Sequence, residues 1–196
     1  MQRVLLATTN AHKVREVRAL WHDEPVVLAT LADVAPMPEP EETGDTFEAN
    51  ARLKALYYAA AIPGLVVSED SGLEIDALHG EPGVRSARYL SAAASYDQRF
   101  ADLFRRLDGV AEAQRTARFV CALVVAGGDR IGFATRGVIE GRIAQAPAGD
   151  GGFGYDPIFF YPPLGQTLAQ VGSAKMGVSH RAQAFGACAR WLRGLR

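Results

Sequence analysis

"RVLLATTNAHKVREVRALW", residues 3–21, decides the class of fold. Arg3 to Ala7 is a short apolar run that predicts a strand, "TTN" is a polar turn, and Val14, Val17, Leu20 and Trp21 then recur at helical spacing. Strand, polar turn, helix is the opening of an α/β unit. A second strand is expected at Val26–Ala29.

The alternation continues along the chain. "ADVAPMPEPEETGD", residues 32–45, holds three prolines and five acids and reads as a loop. Asp45 followed by Glu48 predicts a capping-box start for the helix "TFEANARLKALYYAAA", residues 46–61, whose apolar face is Phe47, Ala51, Ala55 and Tyr58. "LVVS", residues 65–68, predicts a short buried strand, and residues 72–90 are turn-rich. "SYDQRFADLFRRL", residues 95–107, carries Phe100, Leu103, Phe104 and Leu107 at helical spacing. The runs 117–127 and 130–144 predict a long antiparallel pair joined through Gly127 to Arg130. A last helix, residues 179–195, is expected to bury Ala182, Phe185, Ala189 and Leu192, with Ser179 as its N-cap.

With 196 residues, 48% of them hydrophobic, the chain can bury a full core as one large domain or two small lobes. Its 21 lysines and arginines against 22 acids exclude the basic footprint of a general nucleic-acid binder, so an anionic ligand must be met by local charge. The apolar stretch Val4 to Ala7 is too short for a signal peptide, and no later run spans a bilayer, so a cytoplasmic location is expected. Cys121 and Cys188, in unrelated contexts, read as reduced core thiols rather than a disulfide or zinc site.

Six stretches carry chemistry. "TTNAHK", residues 8–13, sets small hydroxyls, an Asn and a Lys around a helix N-terminus, which suits an anion; a plain cap with a solvated lysine is the alternative. Asn50 and Lys54 lie four apart and so share a helix face that could meet a phosphate or solvent. Glu41-Glu42 and Glu69-Asp70 are two acidic pairs, and Mg²⁺ is held by one or two carboxylates plus phosphate oxygens; the other reading of Asp70-Ser71 is a turn before Gly72. "GDGGFGYDPIF", residues 149–159, combines glycines that admit a flat ligand with aromatic faces and an acid. "SAKMGVSHRAQA", residues 173–184, adds Lys175, His180 and Arg181, the last two in the first turn of a helix.

Taken in order, "LLATTNAHKVREV", "EETGDTFEANARLKA", "SEDSGLEIDALHGEPGVRSARY", "GGFGYDPIF" and "SAKMGVSHRAQA" resemble the inosine triphosphate pyrophosphatase family, also called XTP/dITP diphosphatases, across nearly the whole chain. The resemblance implies an elongated, two-lobed α/β domain spanning residues 1–196, with a central twisted mixed β-sheet flanked by helices and an active-site cleft between lobes. It implies a homodimer and Mg²⁺-dependent hydrolysis of ITP, dITP and XTP to the monophosphate and pyrophosphate, with no nucleic-acid or membrane partner. By position, Thr8, Thr9, Asn10, Ala11, His12, Lys13, Asn50 and Lys54 would hold the triphosphate. Glu41 and Asp70 would hold Mg²⁺, and Asp70, with Ser71 beside it, would also act as base or water orienter. Phe153, Gly154, Tyr155, Asp156, Lys175, His180 and Arg181 would hold the purine. Thr9 stands where glycine is frequent in the family and Glu69 where a second Asp often sits. The related Maf-like nucleotide pyrophosphatases share the "ATxN" opening, but the "SHR" helix and "FGYD" loop argue against them.

Overall fold

A computed structural model describes residues 2–195. Seven strands form one open mixed sheet in the order β2-β1-β3-β4-β5-β6-β7. β1 (Gln2–Leu6) runs parallel to both β2 (Val26–Thr30) and β3 (Leu65–Ile75), as expected where helical crossovers join them. Those crossovers are α1 (Ala11–Leu20) and α2 (Phe47–Ala61). β4 (Thr116–Gly127) and β5 (Arg130–Ile143) are joined by the two-residue turn Gly128-Asp129, and β6 (Phe159–Tyr161) and β7 (Gln166–Thr167) complete the antiparallel edge. α3 (Tyr96–Arg106), α4 (Lys175–Val178) and α5 (His180–Gly194) complete the helices described here.

The chain packs as two compact units. The first, residues 1–70, 121–137 and 180–196, has a core of Val4, Leu6, Val17, Trp21, Val67, Cys121, Leu123 and Phe185, among others. Here α1 and α5 lock together: the Trp21 indole packs edge-on against Phe185, with ring centroids 5.3 Å apart, and its Nε1 donates to the Phe185 carbonyl at 3.1 Å. The second, residues 71–120 and 138–179, is built on Leu73, Ile75, Phe100, Leu103, Leu107, Ile143, Tyr155 and Phe159.

Three local expectations are corrected. The cap of α2 is Thr46, not Asp45: Thr46 has extended backbone, so its hydroxyl reaches the Ala49 N–H at 3.1 Å. β3 does not stop at Ser68 but runs to Ile75, because Leu73 and Ile75 continue the buried alternation beyond the acids. Glu69 and Asp70 therefore stand in mid-strand, and the turn reading of Asp70-Ser71 fails. On α5 the buried stripe is Arg181, Ala184, Phe185, Cys188, Ala189 and Leu192, so Ala184 rather than Ala182 faces the core.

Candidate active site

In the first unit, successive residues of β3 point to opposite faces of the sheet, so its two carboxylates meet largely different neighbours, with the Lys13 charge acting on both. Glu69, 1% exposed, receives the Arg181 guanidinium at 2.6 Å (Nε) and 3.1 Å (Nη2), the Cys121 thiol at 3.2 Å and the Lys13 ammonium at 3.7 Å. Arg181 is as buried as Glu69 and also donates to Glu16 at 2.6 Å. Burial by itself would raise the Glu69 carboxyl, but the Arg181 and Lys13 charges and the hydrogen bonds from Arg181 and Cys121 hold it well below the usual carboxylate range. Burial also drives the Cys121 thiol far up, so it is a packed donor and no nucleophile.

Asp70 has the opposite electrostatics. It accepts from Asn50 Nδ2 at 3.1 Å and lies 3.6 Å from Lys54 Nζ. Burial outweighs the pull of Lys54 and Lys13, and with Glu42 adding repulsion the Asp70 carboxyl is raised. Asn50 is fully buried, so the shared face it forms with Lys54 is not a solvent stripe. Its Oδ1 accepts from the Gly44 N–H at 2.8 Å, and a Cβ on Gly44 would lie 2.7 Å from that same oxygen. This close approach ties the acidic loop to α2. Glu42 from that loop reaches Lys54, whereas the neighbouring Glu41 is exposed.

The "TTNAHK" turn is a helix cap as well as a donor cluster. Asn10 Oδ1 accepts from the N–H groups of His12 (2.9 Å) and Lys13 (3.2 Å), and Thr8 Oγ1 accepts from the Asn10 N–H at 3.2 Å. Thr9, Ala11 and His12 are exposed, and the His12 ring meets Arg15 at 2.7 Å. Lys13 is the member of this stretch that reaches the carboxylates. His180 and Arg181 open α5, which approaches β5 closely: a Cβ on Gly137 would fall 2.0 Å from the His180 carbonyl oxygen.

In the second unit, Asp156 Oδ2 accepts from the Phe153 N–H at 2.7 Å and from Lys175 Nζ at 2.6 Å. The Lys175 ammonium also stands 5.0 Å from the centroid of the Phe153 ring. Tyr155 is a core residue whose hydroxyl donates to the Ser86 carbonyl at 2.8 Å. Gly154 has φ +69°, a backbone state open to glycine, and Ser71 lies half-buried in β3.

Thus Lys13, Asn50, Lys54 and Asp70 converge in the first unit, together with Glu42, while Phe153, Asp156 and Lys175 converge in the second. Sequence reasoning passed over Glu16 and Gly44. Glu16 lies three residues after Lys13, and that spacing was the available signal.

Residues 4–191 match the Ham1 family. The chain belongs to that family. It is 45% identical to the dITP/XTP pyrophosphatase of Geobacillus kaustophilus over 94% of this chain and 91% of that protein, and 46% identical to the one from Geobacter sulfurreducens over 94% of each. Among solved structures, a HAM1 protein from Coxiella burnetii superposes with a TM-score of 0.90 at 33% identity, covering 99% of this chain and all of that one. The Staphylococcus aureus Ham1 protein gives 0.88 at 35% identity over the whole of both chains.

Proposed function

We propose that this Ham1-family chain is a Mg²⁺-dependent pyrophosphohydrolase that cleaves ITP, dITP and XTP to the monophosphate and pyrophosphate, removing deaminated purines before a polymerase can use them. The observation that carries the reading is Asp70: a buried carboxylate in mid-strand with a raised pKa, aligned by Asn50 and flanked by two lysines. Such a group can take a proton from an attacking water and is too well placed to be a turn residue.

The residues present fit a hard cation. Asp70 and the acidic loop already converge on one positive charge, the Lys54 ammonium, and Mg²⁺ uses one or two protein carboxylates with waters and phosphate oxygens for the rest. Glu41 and Asp70 would hold it, with Glu42 beside them, and bound there it would neutralise charge on the phosphate oxygens. In the reaction, Asp70 orients a water toward the α-phosphorus and accepts its proton. Lys13 and Lys54 neutralise the departing pyrophosphate, and the Thr8–Asn10 turn, Asn50 and Ser71 position the chain of phosphates.

The purine is assigned to Phe153–Asp156, Lys175, His180 and Arg181. A 6-oxo base offers an acceptor to a donor there where adenine offers an amino group, and an unpaired buried donor can reject the wrong base by roughly 10⁴-fold; Arg181, whose guanidinium already meets Glu69 and Glu16, would hold that wall in place. A homodimer acting in the cytoplasm completes the reading. Pyrophosphate release from ITP, XTP, dITP, GTP, ATP and dUTP, with and without Mg²⁺, tests it. Metal-dependent release confined to ITP, dITP and XTP is expected; preference for dUTP, or no release from any substrate, refutes it.

A further inference from the structure

On the far side of α1 from Lys13 lies a cavity of about 580 Å³, within the size range of small-molecule sites. By helical spacing its α1 wall, Val14, Arg15 and Arg18, is roughly opposite the Lys13 and Glu16 face, so it is not the carboxylate site. Arg18 is exposed and, among the described residues, donates no hydrogen bond to the protein. Its floor is apolar, with Leu31, Val34 and Met37, and Tyr58 closes it.

Tyr58 is the second, independent observation. It is only 2% exposed, it lines the cavity, and among the described residues its phenol makes no hydrogen bond. A buried phenol is normally satisfied. Burial first, and then the nearby Glu39 charge, push its pKa up, so it stays a donor at neutral pH.

We infer that this cavity is a second binding site, for a nucleoside 5′-monophosphate: the phosphate on Arg15 and Arg18, the base on the apolar floor, and Tyr58 and Glu39 pairing with its polar edge. Two guanidinium groups match the charge of about −1.5 to −2 on a phosphate monoester, and the floor supplies what inorganic phosphate cannot use. Thr8 and Thr9 form part of the lining, so an occupant touches the turn that leads into Lys13. The choice of a monophosphate rests on the proposed reaction, of which it is a product; the cavity and its donors do not.

The test is calorimetric titration of the full chain with IMP, and separately with inorganic phosphate and with inosine. Wild type should bind two IMP per chain. The double variant Arg15→Ala/Arg18→Ala should weaken one site by roughly tenfold per guanidinium while ITP turnover stays unchanged, and Lys13→Ala should remove only the other. Tyr58→Phe, a gentler change, should weaken the arginine-dependent site a few-fold. IMP binding that neither the arginine pair nor Tyr58→Phe alters would overturn the inference, as would phosphate binding there as tightly as IMP. If the chain turned over no nucleotide, the arginine-dependent site would still be scored by itself, so failure of the catalytic reading is distinguishable.

Discussion

Replacing Glu69 by Gln removes one charge from an enclosed network and leaves Arg181 buried with Glu16 as its carboxylate partner at 2.6 Å. At an effective dielectric of 20, the close contacts are worth roughly 4–6 kcal/mol each before desolvation, and breaking a buried pair from one side costs about 3–5 kcal/mol. Glu16 retains part of that, so a loss of about 3 kcal/mol is expected, or roughly 6–12 °C in Tm for a chain of this size. The reference is Arg193→Ala, which breaks an exposed pair with Glu24 and should cost less than about 1 kcal/mol. Acid unfolding supplies a second arm. Because the folded Glu69 pKa lies below its unfolded value, its stabilisation is complete above the ordinary glutamate range and drains as pH falls toward the folded value. Wild type should therefore lose stability through that window more steeply than Glu69→Gln. Thermal melts of the three proteins between pH 3 and 7 read both effects. A Glu69→Gln loss no larger than that of Arg193→Ala, with parallel acid profiles, would refute the reasoning.

Asp70→Asn should lower pyrophosphate release by roughly two or more orders of magnitude. Since the folded state raises the Asp70 pKa, the ionised carboxylate opposes folding above that pKa, so the metal-free variant should melt no lower than wild type at pH 7; normal turnover or a clear loss of Tm contradicts this. Gly137→Ala places a methyl group 2.0 Å from the His180 carbonyl and should cost about 1–3 kcal/mol or more while raising KM; an unchanged melt and KM would show that α5 is not pinned there. Burial pushes the Cys188 thiol up to about 12 and the Cys121 thiol well above its ordinary value, so a thiol-reactive dye at pH 8 should label neither in the native protein and both after denaturation.

The parts of this fold that were legible in sequence are those whose own periodicity carries the signal. α1, α2 and α3 bury residues their spacing nominated, because a helix face repeats often enough over ten or more residues to be read. β6 and β7, at three and two residues, are too short for any period, and their place is set by pairing with β5. β3 was read too short because acids and a glycine look like the end of a strand when one cannot see Arg181, Lys13 and Lys54 arriving from elsewhere in the chain to meet them. The same blindness applies to the cap of α2: Asp45 and Thr46 are both good caps, and only the extended backbone at Thr46 decides between them. Residue types at the site could be nominated from local sequence, while the pairing of Glu42 with Lys54 and of Arg181 with Glu16 depends on contacts across 12 and 165 positions.

Two adjacent carboxylates in one strand are an economical way to obtain two different acids from one backbone position. Alternation sends Glu69 and Asp70 to opposite faces, so each can have its own dielectric and partners although their Cα atoms are neighbours. On one face an arginine with bidentate geometry keeps Glu69 ionised and immobile, and Glu69 in turn restrains Lys13. On the other, burial outweighs the pull of Lys54 at 3.6 Å and leaves Asp70 closer to protonation. The longer Glu at position 69 fits this division of labour, since its reach is taken up by Arg181 on α5 and Cys121 on β4. Environments that drive neighbouring pKa values apart are how acid and base roles are separated. Here the separation also assigns one carboxylate to structure and the other to chemistry, so substitutions at the two positions should fail differently: Glu69→Gln by losing stability, Asp70→Asn by losing rate.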